Sequence, residues 1–268
     1  MSNTPTKLSV RNVRKTFRLR GAGGNDRQTL NVLGGVSFDV AQGEIVSLIG
    51  ESGCGKTTLL RVVQGLVRMD SGQVLVDGVA VNKPGRDRGF VFQQASLLPW
   101  RTARSNVDFG LELQGIPKAE RTARTEKLLD LVGLGHARNQ YPHQLSGGMQ
   151  QRIGLARALA IDPAILLMDE PFSALDAQTR EVLQSELLRI QAETAKTTLF
   201  VTHDLDEALY LSNRVVVLAA KPGRVKRIIE VPFSCPRPKL PELRGNSLFQ
   251  EIRAEMWSLI RNSTAPAA

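Results

Sequence analysis

Eight consecutive residues, Gly50-Glu51-Ser52-Gly53-Cys54-Gly55-Lys56-Thr57, put three glycines beside a lysine and a hydroxyl. The spacing G-x-x-x-x-G-K-[ST] builds a loop whose backbone N–H groups cradle phosphate. Lys56 reaches the β- and γ-phosphates of a nucleotide, and the Thr57 hydroxyl ligates Mg²⁺. The flanks suit this chemistry. Residues 44–49 form a short apolar run that reads as a buried strand, and residues 58–66 read as the helix that follows. The helix N-terminus adds positive potential where the phosphates sit. Nucleotide contacts are therefore expected from Gly50 through Thr57 and Thr58. Cys54 lies beside that helix N-terminus, a place that can lower a thiol's pKa. It is not read as a nucleophile, because phosphoryl transfer here uses water. Alkylation of Cys54 is expected to block nucleotide binding, and ATP to protect it.

A phosphate loop needs a second metal carboxylate at the end of a neighbouring strand. Residues 164–169 are an apolar run that reads as a central parallel strand buried on both faces, and it ends in Asp169. Asp169 is expected to hold Mg²⁺ directly or through water. Glu170 follows and can orient or deprotonate the attacking water. His203 ends another strand, at the side where α/β sheets bind ligands, and can donate to the γ-phosphate.

Around these residues the chain alternates strands and helices. Residues 8–17 and 36–40 read as strands, separated in part by a glycine-rich loop at 18–28. Residues 73–76 run into Asp77-Gly78, a hairpin turn. Together they predict an antiparallel β layer around the core. A strand at 88–92 leads to a loop at 93–100. Helical patterns over 105–132, ending at Gly133, and over 147–161 predict a helical insertion. Further strands are expected at 198–202 and 214–218, with a helix at 178–193. Asp204 and Glu207 match a carboxylate capping box. Residues 231–241 hold Pro232, Pro236, Pro238 and Pro241 and read as a linker. Residues 247–261 form an amphipathic helix with Leu248, Phe249, Ile252, Met256, Leu259 and Ile260 on one face, capped by Ser247 and Gln250. Packing on its own domain is the expected use of that face. Partner binding or regulation is the alternative.

The 268 residues are ample for a buried core. No run of 18 apolar residues appears, and the first residues lack the apolar stretch of a secretory leader. Cys54 and Cys235 are the only cysteines, which is no disulfide framework and suits a reduced cytosolic setting. The net charge of +9 is spread along the chain. A solvated basic surface is the favoured reading over nucleic acid or an acidic membrane.

Leu145-Ser146-Gly147-Gly148-Met149-Gln150-Gln151-Arg152 resembles the signature of ABC-type ATPases, and it follows the phosphate loop in the family's order. The resemblance spans roughly residues 8–232. Gln93 resembles the Q-loop glutamine, Asp169-Glu170 the Walker B acids, Ser173-Ala174-Leu175-Asp176 the D-loop, and His203 the switch histidine. Phe17 sits where the family stacks a tyrosine on adenine, and its aromatic face still stacks. The resemblance implies an ABC-type nucleotide-binding domain. That is an α/β P-loop NTPase core with a parallel sheet, an antiparallel β subdomain and an α-helical subdomain, here with a C-terminal amphipathic helix. It places the ATPase domain at 1–232, with the helical subdomain at about 94–161, and the linker and last helix at 233–268.

It further implies a head-to-tail homodimer with ATP between the loop of one copy and Ser146, Gly147 and Gly148 of the other, with Asp176 beside it. Ser146 before two glycines at a helix start suits a phosphate. Thr57, Gln93 and Asp169 are the implied Mg²⁺ ligands, and Glu170, His203 and Gln93 the implied catalytic set. Loss of the γ-phosphate opens the dimer, a population shift. More narrowly, Leu97-Leu98-Pro99-Trp100-Arg101, Tyr141-Pro142-His143-Gln144 and the tail from Pro236-Arg237-Pro238 resemble the nitrate, sulfonate and taurine importer ATPases. That implies two permease subunits, a separate solute-binding protein and a peripheral place on the cytoplasmic face of the inner membrane. The alternative is a soluble ABC-type ATPase acting on nucleic acid or ribosomes. Such forms often carry two ATPase units or long coiled coils, which this chain lacks, so no nucleic acid partner is expected.

Overall fold

The computed structural model describes residues 4–20, 27–233 and 236–261. Cys235 and residues 21–26 of the expected 18–28 loop lie outside them. The chain forms two compact units: Met1–Gly85 with Thr197–Ala268, and Arg86–Lys196.

The first unit opens with β1 (Thr6–Arg20) and β2 (Arg27–Ala41), a long antiparallel pair. Both strands run further than their apolar cores predict, so residues 18–20, 27 and 28 are strand rather than loop. Leu8 and Val10 face inward with Val36, Phe38 and Val40, as alternation requires, and a register shift between Val10 and Val13 returns Val13 to the same face. Next come β3 (Ile45–Gly50), buried at all six positions, and α1 (Lys56–Gln64). β4 (Ser71–Val76) pairs with the other edge of β1 and turns at Asp77-Gly78 into β5 (Val79–Ala80). Both turn residues have positive φ, as the Asp-Gly signal anticipates.

In the second unit, β6 (Arg88–Val91) pairs in parallel with a later strand, β7 (Ile165–Asp169). The helical stretch expected at 105–132 is two helices, α2 (Ala103–Leu113) and α3 (Lys118–Leu131). Gly115 at φ 72 and Pro117 break it, because proline forces its predecessor out of the helix. Buried Asn106 on α2 ties down residues 98–102. Its Oδ1 accepts from the Leu98 N–H, and its Nδ2 donates to the carbonyls of Leu98, Arg101 and Thr102. Then follow α4 (Gly147–Ala160), β7 (Ile165–Asp169) and α5 (Ala177–Thr194).

The chain returns to the first unit through β8 (Thr197–Val201), α6 (Leu205–Leu211), β9 (Arg214–Ala219) and β10 (Arg224–Glu230). β3 lies between β8 and β9, parallel to both, and β10 is antiparallel to β9. Arg214 grips Glu44 through two donors and also donates to the Asp39 carbonyl, which fixes the start of β9 beside β3. The proline-rich stretch is no simple linker. It holds α7 (Leu240–Arg244), with Leu240 and Leu243 buried and proline in its first turn. α8 (Ser247–Arg261) matches the expected helix, but its cap is Asn246, whose Oδ1 accepts from the Phe249 N–H, rather than Ser247. Its stripe buries Phe249, Ile252 and Met256, while Leu248 stays 43% exposed.

Candidate functional site

In the first unit, the loop from Gly50 to Gly55 joins the buried end of β3 to the start of α1. Gly50 has φ 155, and a Cβ there would lie 2.6 Å from the Leu218 carbonyl oxygen and 2.8 Å from Cys54 Sγ. Gly55 has φ 95, and its Cβ would lie 2.8 Å from Leu33 Cδ2. Both positions therefore need glycine on grounds of conformation and of space. Ser52 and Gly53 form the exposed rim, Glu51, Thr57 and Thr58 are half-buried, and Cys54 faces inward. Lys56 is almost wholly covered, and its Nζ donates to the carbonyls of Gly50 at 2.8 Å and Glu51 at 3.1 Å. The ammonium thus lies along the loop's inner edge.

Cys54 departs from expectation. Its side chain is fully covered, and burial pushes the thiol up from its ordinary range against the opposing pull of Lys56. The helix N-terminus does not prevail over desolvation here. Phe17 is half-buried on β1 opposite Leu30, with Lys15 Nζ 5.3 Å from its ring centroid. A cation on an aromatic face is the contact expected of a ring with an accessible π surface. His203 is exposed, between β8 and Asp204, the N-cap of α6. Asp204 Oδ1 accepts from the N–H groups of Asp206 and Glu207.

The second unit brings together the other candidates. Asp169 is the last residue of β7, and Glu170 follows with φ 46. Left-handed backbone is uncommon outside glycine and concentrates at functional sites. The backbone N–H and hydroxyl of Ser173 both donate to the Glu170 carbonyl, at 3.2 and 2.9 Å. Gln93 Nε2 in turn donates to Ser173 Oγ at 3.0 Å. A continuous hydrogen-bonded chain therefore runs from Gln93 to the backbone of Glu170. Asp176 caps α5 by accepting from the Thr179 N–H, which holds its carboxyl below the usual range. Ser146 caps α4 by accepting from the Met149 N–H. Gly147 is exposed, whereas Gly148 packs on α5, where a Cβ would lie 2.7 Å from Thr179 Cγ2.

Helix α4 also fixes the segment around Gln93. Gln151 Nε2 donates to the Phe92 carbonyl, and Arg157 donates to the carbonyls of Ala95 and Ser96. A cleft of about 340 Å³ opens among Gln93, Gln94, Ala95, Gly147, Gln150 and Leu175. Sequence reasoning missed the part played by Gln151, Arg157 and the Ser173 hydroxyl. Their partners lie 59, 62 and 80 residues away. The local signal is slight: Gln151 lies in the signature-like stretch 145–152, Arg157 in the helical pattern over 147–161, and Ser173 in the stretch 173–176.

A family model described as "ABC transporter" matches residues 33–173, more than half of the 268. The chain belongs to the ABC transporter family. This ABC cassette is an ATPase subunit of mixed α/β fold, with a parallel core sheet and an antiparallel subdomain. An ABC transporter ATP-binding protein of Methanocaldococcus jannaschii is 49% identical over 256 residues, covering 96% of this chain and 92% of its own. The taurine import ATP-binding protein TauB of Jannaschia sp. is 42% identical over 257 residues, covering 95% of this chain and 94% of its own. Among solved structures, the dimeric ATP-binding cassette MJ0796, in a post-hydrolysis state bound to ADP and Pi, superposes with a TM-score of 0.72. It is 34% identical and covers 85% of this chain and 100% of its own. Among the described residues of this ABC cassette, no helix is long and apolar enough to cross a membrane.

Proposed function

We propose that this ABC cassette is the ATP-hydrolysing subunit of an importer for a small anion such as nitrate, an alkanesulfonate or taurine. The observation that carries the reading is the likeness to a taurine import ATP-binding protein along 95% of the chain, through the C-terminal segment. On this reading the ATPase domain occupies residues 1–232, with a helical subdomain at about 94–161, and residues 233–268 are an addition to it. Two copies close head to tail on ATP and drive a pair of permease subunits. A separate solute-binding protein delivers the anion, and the cassette sits on the cytoplasmic face of the inner membrane.

Residue roles follow from chemistry. The loop from Gly50 through Thr58 binds the phosphates, Lys56 neutralises their charge, and Phe17 stacks on adenine. Ser146, Gly147 and Gly148 at the start of α4 of the second copy meet the γ-phosphate, with Asp176 at the shared edge. Glu170 accepts a proton from the attacking water, and His203 donates to the γ-phosphate oxygen. Thr57, Asp169 and Gln93 would hold Mg²⁺ through the hard oxygens it prefers, Gln93 through its amide oxygen, since its Nε2 donates to Ser173. When bound, Mg²⁺ supplies charge neutralisation of the β- and γ-phosphates.

The test is growth. A strain lacking this cassette should fail on taurine, an alkanesulfonate or nitrate as sole sulfur or nitrogen source. The native sequence should restore growth, and Lys56→Ala should not. Normal growth on all three would overturn the substrate class. Salt-sensitive RNA binding with no uptake defect would replace transport altogether.

A further inference from the structure

We propose that the C-terminal segment, residues 236–261, is a brace that positions His203 for ATP hydrolysis by clamping helix α6 at both ends. The inference rests on the reading of His203 as the γ-phosphate donor.

Helix α6 has seven residues, too few to hold helical form alone. Six of them, Leu205 and Glu207 through Leu211, are buried, so the helix is covered nearly all round. β3 and β9 pack on it from the sheet, and α7 and α8 pack on it from the C-terminal segment. Phe249 and Met256 of α8 are fully covered in that packing.

Charge then grips the two ends. At the C-terminal end, Arg237 Nη1 donates to the carbonyls of Leu209 and Tyr210, and Nη2 donates to that of Ser212. A guanidinium there satisfies carbonyls that have lost their helical partners and matches the helix dipole. At the N-terminal end, Asp206 stands in the first turn, where the dipole favours an acid. Its Oδ1 accepts from Arg253 Nε at 2.6 Å, and its Oδ2 accepts from Arg244 Nε at 2.8 Å. The brace has its own footing on β10. Lys226 Nζ donates to the Leu259 carbonyl at 2.7 Å, and Arg227 pairs with Glu255 at 3.2 Å. Three arginines of one segment thus hold one short helix, and His203 is the residue just before that helix's cap. Arg237, Arg244, Arg253 and Asp206 act as positioning residues, since each acts on His203 only through α6.

A displaced His203 should slow the chemical step and leave ATP binding by the loop intact. Steady-state hydrolysis of Mg-ATP by the full chain reads this directly. Arg237→Ala should lower kcat about fivefold or more while KM changes less than about twofold, and Arg237→Lys should recover part of the loss. Amide exchange at residues 205–211 should accelerate in Arg237→Ala while the phosphate loop keeps its protection. Arg244 and Arg253 are 44% and 47% exposed, so the double variant Arg244→Ala/Arg253→Ala keeps the apolar packing and should show the same kcat-only loss. His203→Ala is the control. If it abolishes turnover while the arginine variants keep native kcat, the brace is overturned and the histidine's role stands. If His203→Ala turns over at the native rate, the histidine assignment falls and the brace with it.

Discussion

Glu170 holds its carboxylate on a left-handed backbone, which costs roughly 1 kcal/mol for a residue with a Cβ. The two bonds from Ser173 to its carbonyl offset that cost and fix where the side chain starts. Glu170→Gln keeps the backbone and the size but cannot take a proton. Phosphate release should fall by about 100-fold or more, while ATP stays bound and traps a dimer seen by size exclusion. Cys54 gives a second test. Its buried thiol is held above its ordinary range, so alkylation should be slow near neutral pH, quicken only in alkali, and be slowed further by Mg-ATP. The sign for stability follows. A raised folded value means the thiol's contribution is full below the unfolded pKa and is lost as pH climbs through the folded one. The strand, glycine loop and helix around residues 50–57 were legible because those eight residues are contiguous. The thiol's shift was not, because burial depends on residues far away in the chain, and the path from Gln93 through Ser173 to Glu170 was hidden for the same reason.

At the scale of elements, Ser146 caps α4, and that helix steadies the segment carrying Gln93. Ser146→Ala should cost about 1 kcal/mol of stability in urea unfolding. It should also weaken ATP-dependent dimerisation beyond that loss, if the hydroxyl meets phosphate. Asp70 joins β1 to the approach of β4, accepting from Lys15 Nζ and the Thr16 N–H. Those bonds hold its carboxyl below the usual range. Its contribution is therefore complete above about pH 4 and disappears as pH falls through the folded value. The stability gap between the native chain and Asp70→Asn should be open at pH 7 and closed in strong acid, as read by urea midpoints. Long apolar runs such as β3 and β7 were plain in the sequence. β10 was not, since it is mostly exposed and carries three basic residues, and α7 was masked by the prolines before it and by Pro241, which in fact sits in its first turn. The break between α2 and α3 is written in Gly115 and Pro117, yet the residues on both sides keep helical spacing, which hides it.

At the scale of the molecule, one unit is interrupted by the other. Residues up to Gly85 and from Thr197 onward complete each other, with Arg86–Lys196 between them. β3 pairs with β8 and β9, and its partner residues in β8 begin at Thr198. On a ribosome, then, a strand buried at all six positions emerges about 150 residues before its neighbours exist. At roughly 5–20 residues per second, the wait is on the order of ten to thirty seconds. A nascent chain stalled at Lys196 should leave β3 open to protease, and release of the remaining residues should close it. On the proposed reading, the stretch that grips ATP is thus made early and armed late. Until the ribosome has delivered β8 and β9, the nascent ATPase has no finished strand from which its phosphate loop can start.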